Sequence, residues 1–320
     1  MGREDSHRVR TGGRFGAYRV RVDETRRGYL YGLCAYGLWG LTPIYWKLLR
    51  PAGAVEIVAN RIVWSAVFCA LLLVALRQWR WLAEVVRRPR TVLTLLAAAG
   101  LIGVNWGTYI YGVNSGHVVE ASLGYFINPL VSILLAVVVL RERLRRPQWL
   151  AIAFGVAAVA VITVDYGRPP WIALGLAGSF GLYGLAKKTL RLPAARGLFA
   201  ESVVLALPAA GYLCYLAFSG TGTLGTGSVG HTVLLVGTGV VTTVPLLCFA
   251  SAANRLPLSS IGVLQYLAPI LQLGCGLLLY GEPMPPAELV GFVLVWVALA
   301  VFTADLVRHH RRTARLRAAV

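Results

Sequence analysis

Charge is what this chain has least of. Only 14% of its 320 residues are charged, against about 25% in an ordinary soluble domain. Just 13 of them are acidic. So few charges cannot cover a water-facing surface, which excludes the pair of soluble domains that length alone would suggest. Cysteine is sparse too. The five (Cys34, Cys69, Cys214, Cys248, Cys275) lie in apolar runs without CxxC spacing, which reads as small hydrophobes rather than metal ligands or redox pairs. No HExxH, GxSxG, Walker loop or HxE…CxxC is present, and His117, His231, His309 and His310 have no partners at metal spacing. The chain is therefore expected to be no enzyme and to need neither metal nor cofactor. Residues 1–28 have no apolar signal core; they are polar with eight Arg and read as a disordered basic tail.

What is abundant is apolar length. The chain is 57% hydrophobic, with 35 Gly and 9 Trp, a composition suited to packed membrane helices with interfacial anchors. A spanning helix needs about 20 mostly apolar residues. Ten such segments are readable, at 29–49, 56–76, 91–112, 119–140, 148–166, 170–187, 197–218, 231–252, 258–280 and 287–306. The expected fold is an all-α integral membrane protein. The longest connection, "SGTGTLGTGSVG" (219–230), is uncharged and reads as a flexible loop. With the N-terminus inside, 27 of the 31 Lys and Arg fall on the cytoplasmic side, and only Arg50 and Arg168 fall outside. That bias predicts a multi-pass protein of the cell (inner) membrane with both termini cytoplasmic. It also accounts for the net charge of +18 without nucleic acid: the basic tails (1–28 and 307–320) are expected to face anionic lipid headgroups.

A repeat lies at an offset of 140 residues. Asn114 falls on Asn254, Pro129 on Pro269, Glu142 on Glu282, and Thr163 and Asp165 on Thr303 and Asp305. The halves are then 29–166 and 167–306, with five spans each. Five is odd, so the second half must enter from the opposite side, giving an inverted-topology repeat of the kind secondary transporters use. Pro129 and Pro269 are equivalent helix breakers in spans four and nine. The carbonyls they free, with Asn128 beside one and Gln265 near the other, are expected to line a polar midplane cavity; the alternative is that the kinks only allow packing.

A charge at the bilayer centre costs at least about 2.5–3.5 kcal/mol, so the few inside spans are informative. Lys47 lies at the end of span one and either lines the path or snorkels to the interface. Arg61 in span two and Glu201 in span seven are equivalent at the 140-residue offset. Both are expected to face the central interface, as substrate-binding groups or as a fixed ion pair. Asn105, Trp106, Tyr109, Tyr125 and Tyr266 are path-lining candidates that would otherwise pack or anchor.

At "EASLGYFINPL" (120–130) the chain resembles the drug/metabolite transporter superfamily, and within it the EamA family and its chloramphenicol-sensitive RarD-type branch. The segments "YGLWGLTPIYWK" (36–47), "NRIVWS" (60–65), "VNWGTYIYGVN" (104–114), "VTTVPLLCFASAA" (241–253) and "LQYLAPI" (264–270) carry the likeness over 28–306. It implies two EamA repeats of five helices and a permease, with no substrate. One departure stands out. The branch usually has His before the Arg of "NRIVWS", and here that residue is Asn60, so a proton-handling role there does not carry over. The expected function is secondary-active transport, as an exporter, of a small organic metabolite or drug-like compound by alternating access. Translocation of a lipid or lipid-linked precursor is the alternative, and a homodimer is compatible with either.

Overall fold

The computed structural model describes residues 9–75, 88–141, 144–190, 194–226, 228–256 and 258–318. Most of the basic 77–90 connection, and Glu142, lie outside them. Every described element is helical: α1 (Val9–Leu48), α2 (Ala54–Ala75), α3 (Pro89–Asn114), α4 (Val118–Leu140), α5 (Arg146–Tyr166), α6 (Trp171–Leu190), α7 (Ala194–Ser219), α8 (Val229–Ala253), α9 (Leu258–Leu264), α10 (Leu267–Gly274) and α11 (Pro286–Ala318). A π-helical turn, Cys275–Leu279, follows α10. Among the described residues eight segments are long and apolar enough to cross a membrane on their own. The remaining two passes are α1 and α6. The helix α6 carries four glycines and ends in Lys187 and Lys188, which lowers its hydropathy, and it packs between α3 and α4.

Two sequence expectations are corrected at the ends and loops. Residues 9–28 are not a disordered tail but continue α1 as helix. Arginine is a good helix former and no Pro interrupts this stretch, so extending an existing helix is cheap. The 219–230 loop is latched rather than free: Thr223 donates both its backbone N–H (2.6 Å) and its hydroxyl (3.0 Å) to Glu56 Oε1.

The packing obeys a two-fold exchange of the halves α1–α5 and α6–α11. Helix α1 packs on α8 as its counterpart α6 packs on α3, while α2 pairs with its own counterpart α7, and α5 with α11. This is the inverted repeat. Helices in lipid gain little from hydrophobic driving and associate through close contact at small residues. A Cβ at Gly124 of α4 would stand 2.8 Å from the Ala173 carbonyl oxygen of α6, and one at Gly239 of α8 would stand 2.5 Å from the Trp64 backbone of α2. Neither contact admits a larger residue. The turns at 49–53, 115–117, 167–170, 220–226 and 280–285 form one end of the bundle, called here the far face. The other end, to which both termini run, is the termini face.

The two prolines behave differently. The helix α4 stays continuous through Pro129, so it is no helix break. Its turn before the Pro is held against α6 by the Gly124–Ala173 contact. In the second half the chain does break, at Gln265–Tyr266 between α9 and α10. Gln265 is the residue whose carbonyl the Pro269 ring leaves without a donor and crowds.

Candidate functional site

The first turns of α2 put Arg61 inside the protein, where it is 8% exposed. Its guanidinium carbon lies 4.1 Å from the centre of the Trp106 ring of α3 and 5.2 Å from that of Trp46 of α1. Tyr109 and Tyr125 are within electrostatic reach of it, and their rings meet edge-to-face at 5.5 Å. Thr42 of α1 bonds the Tyr109 hydroxyl at 3.0 Å and donates to the Trp39 carbonyl at 2.7 Å. Gln272 of α10 donates to that same carbonyl at 3.2 Å. Side chains from α1, α3 and α4 thus surround a single buried cation on α2, and α10 of the second half is tied to α1 beside them. Stacking on aromatic faces returns about 2 kcal/mol for a desolvated guanidinium, against a burial penalty of several kcal/mol per ion. The site as built is short of negative charge.

Four predicted residues therefore meet: Arg61, Trp106, Tyr109 and Tyr125. Others do not join them. Glu201 neither pairs with Arg61 nor shares its pocket. It is 1% exposed and takes Lys187 Nζ at 2.7 Å and the Tyr183 hydroxyl at 3.0 Å. The reason is the inversion itself: Arg61 and Glu201 each lie seven residues into their helix, about 10 Å along it, but the helices start from opposite faces. Lys47 sits over the Tyr280 ring at 3.3 Å on the far face. Asn105 spends its amide on the Leu176 carbonyl and the Ser179 hydroxyl, each at 3.0 Å, and so ties α3 to α6. Tyr266 lies beside Gln265 and Thr303, and Asn128 Oδ1 is buried without a partner. Trp46, Thr42 and Gln272 were not singled out from sequence. Trp46 and Thr42 share one helix face at i, i+4, a signal hidden behind the adjacent charge of Lys47.

The far face is closed by carboxylates that bridge the halves and serve helix N-termini, where unsatisfied N–H groups and the helix dipole favour an anion. Glu282 Oε2 accepts the Val119 N–H at 2.8 Å, with Lys47 Nζ 4.0 Å from its other oxygen. Glu120 accepts the Ile172 N–H at 3.0 Å, and Arg168 lies 3.9 Å away. Glu56 holds Thr223, as described. Glu56 and Glu120 are buried, 5% and 2% exposed. On the termini face the bridging pairs, Glu24–Arg255 at 2.8 Å and Arg145–Asp305 at 3.0 Å, are more open to solvent.

Comparison with known proteins fits this architecture. The EamA-like transporter family matches residues 26–164. The protein RarD of Streptomyces exfoliatus is 54% identical over 298 residues, covering 93% of this chain and 95% of that one. The chain belongs to the EamA family, in its RarD-type branch. An uncharacterized transporter of Bacillus subtilis, YojE, is 44% identical and covers 90% of this chain and 97% of its own. A solved structure at 20% identity shares the fold, with a TM-score of 0.54 over 88% of this chain and 98% of that one. This EamA chain is thus a multi-pass membrane transporter. Asn60, next to Arg61, donates to the Glu56 carbonyl at 3.0 Å and accepts from Trp64 Nε1 at 3.3 Å. Its amide is used within α2 and holds that helix turn rather than a ligand.

Proposed function

We propose that this protein is a secondary-active permease that exports a small organic compound by alternating access, with both termini in the cytoplasm. The substrate binds at the Arg61 site between the far-face latch and the termini face. The observation that carries this reading is the pairing of a charge-deficient buried site with a far face closed by Glu56, Glu120 and Glu282 across the two halves. A latch made of hydrogen bonds between rigid halves has two discrete states, closed and parted, as rocking of inverted repeats requires. The basic residues support the orientation.

The test is a metabolite comparison between cells lacking and cells overproducing the protein, followed by counterflow in proteoliposomes with the compound that changes most. Export predicts that this compound accumulates inside cells lacking the protein, and that counterflow saturates with concentration. Flux that rises linearly without saturation, or no flux, contradicts the permease reading.

A further inference from the structure

We propose that the Arg61 site recognises the anionic group of a small organic acid carrying a flat apolar body, with the acid's oxygens accepting from Arg61 and from the indole N–H of Trp46. This deepens the permease reading and rests on it. Arg61 is nine-tenths buried, and its Nε has no hydrogen-bond acceptor. Trp46, 1% exposed, also leaves its Nε1 without an acceptor, and the Trp46 ring centre is 5.2 Å from the guanidinium carbon. Two neighbouring buried donors, on different helices, thus lack the same thing. Buried donors are rarely left so without a reason.

Nothing within the described chain supplies the missing charge. Glu56 lies five residues before Arg61 on α2, hence about 140° around the helix, and is held by Thr223. Glu120, Glu201 and Glu282 are engaged by Ile172, Lys187 and Val119. An anion from outside the chain answers both donors at once, and the fork of a guanidinium suits a carboxylate or phosphate-like oxygen pair. A cation would be repelled, and a neutral ligand would leave the charge uncompensated. The body of the ligand is indicated by the walls. Trp106, Tyr109 and Tyr125 present ring surface, while the nearby amides of Asn60 and Asn105 are already spent. A polyhydroxylated body would find few partners, and an apolar or aromatic one fits.

The experiment compares benzoate, benzamide and benzylamine, which share a ring and differ in charge, by quenching of intrinsic tryptophan fluorescence in the purified full-length protein in neutral detergent. Benzoate alone should give saturable quenching. Arg61→Gln should raise its Kd by about tenfold or more, the loss expected when one partner of a buried charged hydrogen bond is removed. Trp46→Phe, which keeps an aromatic face but removes the N–H together with the fused five-membered ring, should raise it by a smaller factor; the cavity left by the smaller side chain lowers thermal stability, so the affinity is read well below the variant's own unfolding temperature. Benzylamine or benzamide binding as well as benzoate would overturn the proposal, as would wild-type benzoate affinity in both variants. Dihexanoylphosphatidylglycerol separates a lipid headgroup from a soluble acid: no displacement of benzoate is expected, and binding of the lipid without binding of benzoate would overturn the assignment. Failure here with saturable counterflow intact removes the anion and leaves the permease; absence of counterflow removes the permease whatever binds at Arg61.

Discussion

Glu282 and Val119 are 163 residues apart and belong to opposite halves, yet the Glu282 carboxylate accepts the Val119 backbone N–H at 2.8 Å. One side chain thereby caps the start of α4, faces Lys47 and ties the two repeats together at the far face. Glu282→Ala leaves a half-buried N–H and a lysine without their acceptor, which should cost about 1–3 kcal/mol of stability. Glu282→Gln retains an acceptor for Val119 and should cost less. Thermal unfolding of the two purified variants checks the order; equal stability of both with the wild type would show that the latch contributes nothing to the closed form.

Lys187, Tyr183 and Glu201 form the counterpart cluster, near the termini face. Replacing Glu201 by Gln keeps an acceptor for the Tyr183 hydroxyl but leaves Lys187 uncompensated, and should cost about 1–3 kcal/mol. Tyr183→Phe removes one hydrogen bond and should cost about 0.5–1.5 kcal/mol. Because Arg61 does not share this cluster, Glu201→Gln should leave binding at Arg61 unchanged. A Glu201→Gln variant with wild-type stability but altered benzoate affinity would mean that the two clusters act as one site.

The orientation has its own check. Reporter fusions after residues 115, 168 and 225 should read as external, and those after 145 and 192 as cytoplasmic. A reversed pattern would place the latch inside the cell and overturn both the charge-based topology and the proposed direction of transport.

The fold was legible in sequence because its signals are long. Runs of about 20 apolar residues and a constant offset survive local ambiguity, and nine of the ten expected spans each fall within one continuous helix to within about a residue at its ends, the exception being 258–280. Burial of Arg61 was legible because lipid leaves a guanidinium few alternatives. The relation between Arg61 and Glu201 was misread because an offset in sequence carries no depth: inversion sends equivalent residues to opposite ends of the membrane. Pro129 misled for a different reason. A proline's local preference competes with packing, and the tight α4–α6 contact at Gly124 and Ala173 decides between them. The latch was invisible because hydrogen bonds from carboxylates to distant backbone N–H groups leave no pattern along the chain.

Alternating access is tested most directly by distances across each face, measured by double electron–electron resonance in a protein whose five native cysteines are replaced. One pair of labels, at Ser115→Cys and Thr226→Cys, spans the halves on the far face. The other, at Arg88→Cys and Asn254→Cys, spans them on the termini face. All four positions are exposed. Releasing the latch with Glu282→Ala, which leaves the Val119 N–H without its acceptor, should lengthen the 115–226 distance and shorten the 88–254 distance in the same sample. Both distances unchanged, or both lengthening together, would contradict a mechanism in which one face closes as the other opens.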